Sequence, residues 1–296
     1  MTGLERSTPV CPPVSPAASV PALSVIVPAS NEAALIAECL RALAASDPVP
    51  GGVEVIVVAN GCRDDTAARA RDRAPDFAAR GWRLVVRERA DGGKLAALND
   101  GDAAAAGAAR AYLDADVRVS PPLLPALAAA LATDAPRYAS GTLRIARARS
   151  WASRAYARIW ARVPFMSTDV PGCGLFAVNA AGRARWGAFP DIVSDDTFVR
   201  LNFAPSERVA VPAPYDWPVV EGLPALVRVR RRQDRGVAEI AARFPALAAN
   251  DNKPPFPLAR KLRLALSDPL GFAVYSGVAL AVRLSPRGPD GWSRGR

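Results

Sequence analysis

Four short apolar runs alternate with helical patterns over the first 120 residues, and that alternation leaves few folds open. The runs are 23–29 (LSVIVPA), 53–59 (VEVIVVA), 82–87 (WRLVVR) and 111–115 (AYLDA), each β-branched or apolar and bounded by turn residues. Between them, 31–45 sets Leu35, Ile36, Cys39, Leu40 and Leu43 on adjoining stripes of a helix, and 65–74 and 94–109 are rich in Ala and Arg. Strands buried on both faces and joined by helical crossovers form a parallel, doubly wound sheet. Its ligands bind beyond the carboxyl ends of the strands. The fold expected is therefore α/β, with a mostly parallel sheet.

Each run ends in polar residues: Ser30-Asn31-Glu32, then Asn60-Gly61-Cys62-Arg63-Asp64, then Asp91-Gly92-Gly93-Lys94, and finally Asp114 and Asp116. Four loops thus converge on one sheet edge. Strand alternation sends Asp114 and Asp116 to opposite faces unless the chain turns there, and Val117 to Pro121 permits a turn. Two carboxylates at such an edge can hold Mg²⁺ or Mn²⁺, which neutralises a diphosphate as it leaves; a solvated acidic turn has the same spacing. Lys94 is the only lysine before Lys253 in a chain that otherwise uses Arg. It opens a helix behind two glycines, where free N–H groups suit an anion; a capped surface helix is the plainer account.

Composition narrows the chemistry. The 296 residues include no histidine, which removes Ser-His-Asp, Cys-His and HExxH catalysis and leaves Asp or Glu as general base. The four cysteines (11, 39, 62, 173) show neither CxxC nor metal-ligand spacing, which fits a reducing cytoplasm. The net charge of +10 suits phosphorylated ligands or an anionic membrane surface, or reflects a general use of Arg.

Residues 1–22 carry no signal-like apolar run and read as a disordered lead-in. Beyond Pro121 a helix at 122–132, a strand at 138–146 and a basic helix at 150–162 are expected. That helix interleaves Arg154, Arg158 and Arg162 with Trp151, Tyr156 and Trp160, so it either packs or lies on anionic lipid. Residues 269–282 (PLGFAVYSGVALAV) are apolar but too short to span a bilayer of roughly 20 residues. They read as a packing or membrane-surface helix in a tail from 251 to 296.

PASNE at 28–32, NGCRDDT at 60–66, GKLAALNDG at 93–101 and LDAD at 113–116 occur in the order seen in family 2 glycosyltransferases, and the chain resembles that family over about 23–200. The resemblance implies a GT-A fold over 23–250, with a Rossmann-like nucleotide-sugar half (23–120) and a mixed acceptor half (121–250). It also implies a nucleoside-diphosphate-sugar donor with a divalent metal. Carried over, Pro28, Ala29, Glu32, Asn60, Lys94, Asn99, Asp114, Ala115 and Asp116 would bind the donor, with Asn60 standing where many members have Asp. Asp114 and Asp116 match the DxD, Asp116 as direct metal ligand. Gly172, Cys173 and Gly174 match a segment that leaves room for acceptor and sugar. Ser194-Asp195-Asp196 resembles the Glu-Asp motif of inverting members, with Asp196 as base and Asp195 as its acidic neighbour in place of Glu. Arg232 and Arg235 stand near the Gln-x-x-Arg-Trp position of processive members, but Gln233-Asp234-Arg235-Gly236 lacks the Trp, which argues against a polymerase; the arginines could still meet the diphosphate or be solvated.

The activity expected is metal-dependent, inverting transfer of a sugar to a hydroxyl acceptor on a glycan or lipid-linked carrier. The enzyme would be cytoplasmic or peripheral at the inner membrane face, with no nucleic-acid partner. Two alternatives stand beside it. A nucleotidyltransferase would need a Gly- and Arg-rich loop after the first strand. A non-enzymatic basic binding protein would rest on the charge alone.

Overall fold

The computed structural model describes residues 20–168 and 170–284. The first half reads β1 (Leu23–Ala29), α1 (Ile36–Ala44), β2 (Val53–Asn60), α2 (Thr66–Arg71), α3 (Ala74–Ala78), β3 (Arg83–Arg89), α4 (Lys94–Ala104) and β4 (Ala109–Leu113). The second adds β5 (Arg118–Val119), α5 (Leu123–Leu131), β6 (Tyr138–Ile145), α6 (Trp151–Trp160), α7 (Pro164–Thr168), β7 (Leu175–Asn179), α8 (Ala180–Arg183), α9 (Asp195–Leu201), β8 (Arg208–Trp217), α10 (Leu223–Arg243), α11 (Leu258–Ser267) and α12 (Pro269–Leu284).

All eight strands form one mixed sheet, ordered β3-β2-β1-β4-β7-β6-β8-β5. β3, β2, β1 and β4 run parallel, as the crossovers require. β7 then enters antiparallel to β4 and β6, β8 runs parallel to β6, and β5 closes antiparallel on β8. Only residues 114–117 separate Leu113 at the end of β4 from Arg118 of β5, yet four strand spacings lie between β4 and β5 in the sheet. At roughly 4.8 Å per spacing a flat sheet would need about 19 Å, more than five extended residues cover. The sheet must curl, and residues 114–117 sit where it folds back on itself.

β1 and β2 are buried along their whole length, apart from partial exposure at Pro28, each enclosed Val, Ile or Leu contributing about 1.5–3 kcal/mol relative to exposure. The one carboxylate in β2, Glu54, is 1% exposed and accepts from Ser24 Oγ at 2.6 Å and from the Gly107 N–H at 3.1 Å. It therefore ties the α4–β4 loop beneath the sheet. A Cβ on Gly107 would lie 2.5 Å from Ser24 Oγ, so the chain leaves the helix expected over 94–109 early and threads past β1 as loop.

Other boundaries shift for local reasons. The helix expected over 31–45 begins only at Ile36, because Asn31 adopts a left-handed conformation (φ 53°) and the Glu32 carbonyl accepts from the N–H groups of Leu35 and Ile36 in a turn. The pattern at 65–74 is cut after Arg71, and a second short helix restarts around Pro75, which cannot continue a helix from within. The fourth strand runs 109–113 instead of 111–115, because it ends where Asp114 turns out of the sheet.

Two expected segments are more firmly tied than the sequence suggested. Of the lead-in 1–22, residues 1–19 lie outside the described residues, while Pro21 and Ala22 already bond to Ala108, Ala109, Gly51 and Gly52. In the tail from 251, Asp251 pairs with the buried Arg200 at 3.1 Å and Asn252 Oδ1 accepts from Arg208 at 2.7 Å. α12 packs on α6, with Tyr156 and Tyr275 rings 5.4 Å apart and Arg158 paired to Asp268 at 2.7 Å. The basic aromatic helix at 150–162 is thus covered by protein along this face.

Candidate active site

The carboxyl ends of β1, β2 and β4 open onto a cavity of about 460 Å³ lined by Pro28, Glu32, Asn60, Lys94, Asp114 and Asp116, among others. A narrower recess of about 90 Å³ continues from it past Lys94 and Asp114 to Cys173, Gly174, Asp195 and Asp196. Trp217, Arg232 and Gln233 border both spaces.

Local hydrogen bonds build the floor. The left-handed Asn31 accepts from the Arg63 N–H at 2.7 Å, and the Glu32 N–H donates to Thr66 Oγ1 at 2.8 Å, so the loops after β1 and β2 are stitched together. Asn60, 3% exposed, donates to the carbonyls of Ala29 (2.9 Å) and Val58 (3.3 Å) and accepts from the Gly93 N–H at 3.0 Å. An Asp could not make those two donations, which gives Asn at this position a structural reason. Gly93, at φ 145°, aims the start of α4 into the cavity and delivers Lys94.

Lys94 is the hub. Its Nζ lies 2.9 Å from Asp114 Oδ1 and 3.0 Å from Asp195 Oδ2, joining the end of β4 to the start of α9. Burial alone would lower its pKa, but the carboxylates of Asp114 and Asp195 outweigh that and hold the ammonium well above the usual lysine range. Residues 114–117 form a turn, the Val117 N–H donating to the Asp114 carbonyl at 3.1 Å. That turn brings Asp114 and Asp116 to the same cavity despite their two-residue spacing.

Asp195 and Asp196 occupy the first turn of α9, where the free N–H groups favour negative charge. The Asp196 carboxyl is pushed up to about 6, by burial first and by the Asp195 charge second, against the opposing pull of Lys94 and of the Thr197 N–H. A carboxylate poised there can accept a proton near neutral pH. Burial, together with the charges of Asp196 and Asp114, pushes the neighbouring Cys173 thiol up, so it is no nucleophile.

The roof comes from the second half. A Cβ on Gly236 would lie 2.2 Å from Ser194 Oγ, so glycine lets α10 press against the start of α9. Glu239 Oε2 accepts from the Val193 N–H at 2.9 Å and fixes that contact. One turn earlier, α10 presents Arg232 and Gln233 to the cavity.

Four expected site residues stand elsewhere. Asn99 accepts from the Phe189 N–H at 2.7 Å and donates to its carbonyl at 3.2 Å, holding the loop before α9 from outside the cavity. Ala29 is buried and offers only its carbonyl, which Asn60 takes. Gly172, at φ 68°, lies under the recess against Tyr138 and lets the chain turn into Cys173 and Gly174. Arg235 lies one turn beyond Arg232 and does not border the cavity. Ala115 is part of the cavity wall.

Sequence reading missed the aromatic wall. Trp217 ends β8 and meets Trp160 at 5.1 Å edge to face, while Tyr156 and Leu226 complete the side formed by α6 and α10. A Cβ on Gly174 would lie 2.5 Å from the Trp217 ring, so that glycine admits the indole. The signal was a Trp at the end of a strand and directly before Pro218.

For a metal, Asp114 and Asp116 supply hard carboxylate oxygens of the kind that suit Mg²⁺ or Mn²⁺. Among the described residues no three His, Cys, Asp or Glu side chains gather into a cage. The residues therefore fit a cation that shares one or two carboxylates with phosphate oxygens and water.

The family model for glycosyl transferase family 2 matches residues 24–179. The chain belongs to that family. Three solved structures of glycosyltransferases show the same fold. A mannosyltransferase from Pyrobaculum calidifontis, in complex with GDP-Man and Mn²⁺, is 24% identical over 92% of this chain and 79% of its own, with a TM-score of 0.54. TarS 1–349 from S. aureus in complex with UDP-GlcNAc is 16% identical over 89% and 76%, with a TM-score of 0.52. Glucosyl-3-phosphoglycerate synthase from Mycobacterium tuberculosis, with Mn²⁺ and UDP-glucose, is 21% identical over 75% and 78%, with a TM-score of 0.51. No curated protein sequence matches the chain. In this family 2 glycosyltransferase the matched segment runs from β1 through β7, while α9 and α10 lie beyond it.

Proposed function

We propose that this family 2 enzyme transfers a sugar from a nucleoside diphosphate sugar to a hydroxyl acceptor with inversion, in the presence of Mn²⁺ or Mg²⁺. The observation that carries the reading is the line Asp116, Asp114, Lys94, Asp195, Asp196, which runs from the larger cavity into the recess with the ion pairs of Lys94 at its centre.

The larger cavity takes the nucleotide, with its base and ribose against Pro28 to Glu32 and Asn60. The diphosphate then lies between Asp114 and Asp116 below and Arg232 above, since a guanidinium fork suits phosphate oxygens. A divalent cation at the two aspartates supplies charge neutralisation to the leaving diphosphate. The sugar projects into the recess beside Cys173, Gly174 and the Trp217 ring. Asp196 takes the proton from the acceptor hydroxyl as its oxygen attacks C1. The bond from C1 to the diphosphate oxygen breaks on the opposite face, so a single displacement inverts the centre. Asp195, held by Lys94, sets a carboxylate beside Asp196 that adds to the raised basicity of the base. The acceptor enters along the Trp217 and Trp160 wall, where aromatic faces suit a sugar ring or an apolar chain.

The test is turnover over a panel of UDP-, GDP- and dTDP-sugars with Mn²⁺. Asp116→Ala and Asp196→Asn should each lose most transfer and donor hydrolysis, and undiminished turnover in both would sink the assignment.

A further inference from the structure

Nine large apolar side chains are strongly exposed among the described residues, and six are leucines of α11 and α12. Leu258, Leu262 and Leu266, 55–83% exposed, recur every fourth residue and make one stripe of α11. On α12, Leu270, Ala273, Gly277, Leu280 and Leu284 fall on one helical stripe, and all five are exposed. The opposite side of α12, with Val274, Tyr275 and Val278, packs into the cluster that holds Tyr156, Trp160 and Leu226. α12 is thus apolar on both sides, with only one side covered. Trp151 and Leu223, two of the remaining exposed residues, head α6 and α10, which lie beside it.

The charge around this face has one sign. From residue 253 to 284 the chain carries Lys253, Arg260, Lys261, Arg263 and Arg283 against Asp268 alone, and Arg158 takes that carboxylate. A second copy placed symmetrically on the patch would set these cations against one another. A sixteen-residue helix is about 24 Å long, short of a bilayer core of roughly 30 Å, and none of the described helices is long and apolar enough to cross a membrane. A face of leucines rimmed by cations matches what a helix needs to lie in an anionic lipid interface.

We infer that α11 and α12 dock this enzyme onto an anionic membrane surface, with their exposed leucines in the lipid and Lys261, Arg263 and Arg283 at the headgroups. The placement has a catalytic meaning, which rests on the transferase reading above. α6 and α10 carry Tyr156, Trp160 and Leu226 to the donor cavity, and the same three side chains share a cluster with Val274, Tyr275 and Val278 of α12. The acceptor wall is then within one helix layer of the lipid, and the acceptor is a hydroxyl on a lipid-borne molecule.

The experiment is flotation of the full chain with vesicles of phosphatidylcholine alone or mixed with phosphatidylglycerol. The wild type should float with the mixed vesicles, less so at high salt. Leu262→Ser/Leu266→Ser, Leu280→Ser/Leu284→Ser and Lys261→Glu/Arg263→Glu should each weaken partition about tenfold or more. Thermal stabilisation by UDP or GDP with Mn²⁺ should persist in all three, showing the fold intact. Equal flotation of the leucine variants, or none of the wild type, overturns the proposal. A dimer that dissociates in the leucine variants without vesicle binding assigns the face to a second copy and overturns it too. Vesicle binding without turnover of any donor leaves docking standing and removes the acceptor clause, so the two readings fail separately.

Discussion

Asp196 carries opposite demands, and both can be measured. As the proposed base it must be unprotonated, so kcat/KM at saturating metal should fall about tenfold per pH unit below roughly 6. Asp196→Asn should remove on the order of 10²–10⁴ of turnover at every pH. The same carboxylate opposes folding. Its pKa rises from 3.8 in the unfolded chain to about 6 in the folded one, so the folded state binds more protons between those values. The penalty is therefore complete above about 6 and relieved as pH falls toward 4. Asp196→Asn should raise stability at pH 7.5, by roughly 1–2 kcal/mol after allowance for partial exposure. Thermal melts of the two proteins at pH 7.5 and pH 5 check this, and a lower melting temperature for the variant at pH 7.5 would contradict the charge repulsion with Asp195. That Asp114, Asp116, Lys94 and Asp196 come to one cleft was legible in the sequence, because each sits at the end of an apolar run or the start of a helix, where a parallel sheet opens its binding edge. Asn99 was misplaced because the motif fixes residue type and leaves direction open. Five residues beyond Lys94 on α4, it points about 140° away around the helix and reaches Phe189 instead.

At the scale of elements, the site depends on how α4, α9 and α10 are aimed. The two hydrogen bonds between Asn99 and Phe189 fix the loop that leads into α9. Asn99→Ala should cost about 1–3 kcal/mol through the backbone groups left unsatisfied. Turnover should fall while nucleoside diphosphate affinity stays near wild type, because α9 carries Asp196, the proposed base, and the larger cavity is lined from other elements. Titration calorimetry beside steady-state kinetics separates the two. Helix starts were harder to read than helix bodies. Ile36 begins α1 because Asn31 turns left-handed, with its side chain held by the Arg63 N–H, and the closeness of α10 to α9 depends on Gly236 meeting Ser194; both involve partners distant in sequence, invisible to periodicity. The short helix at 150–162 read in sequence as a packed helix slightly ahead of a lipid-binding one, and Tyr275 and Asp268 pack it on that side.

For the whole molecule, the parallel half was readable because each strand follows its crossover helix and pairs with a neighbour in the sheet order. The second half was not, since β7 inserts between β4 and β6 and β5 pairs with a strand far later in the chain, Arg118 with Asp216. That last pairing gives the curl of the sheet a temporal meaning. The turn bearing Asp114 and Asp116 is braced on one side by β4 and on the other by a two-residue strand whose partner is β8. During refolding of the full chain, pulse-labelled exchange should protect amides of β1 and β2 before those of Arg118, Val119 and their partners in β8. Simultaneous protection would show the halves forming together. On this order of events the turn bearing Asp114 and Asp116 stays loose until β8 arrives, so an incompletely folded chain presents the ends of β1 and β2 without their acidic corner, and the proposed donor hydrolysis is withheld until Trp217 stands beside it.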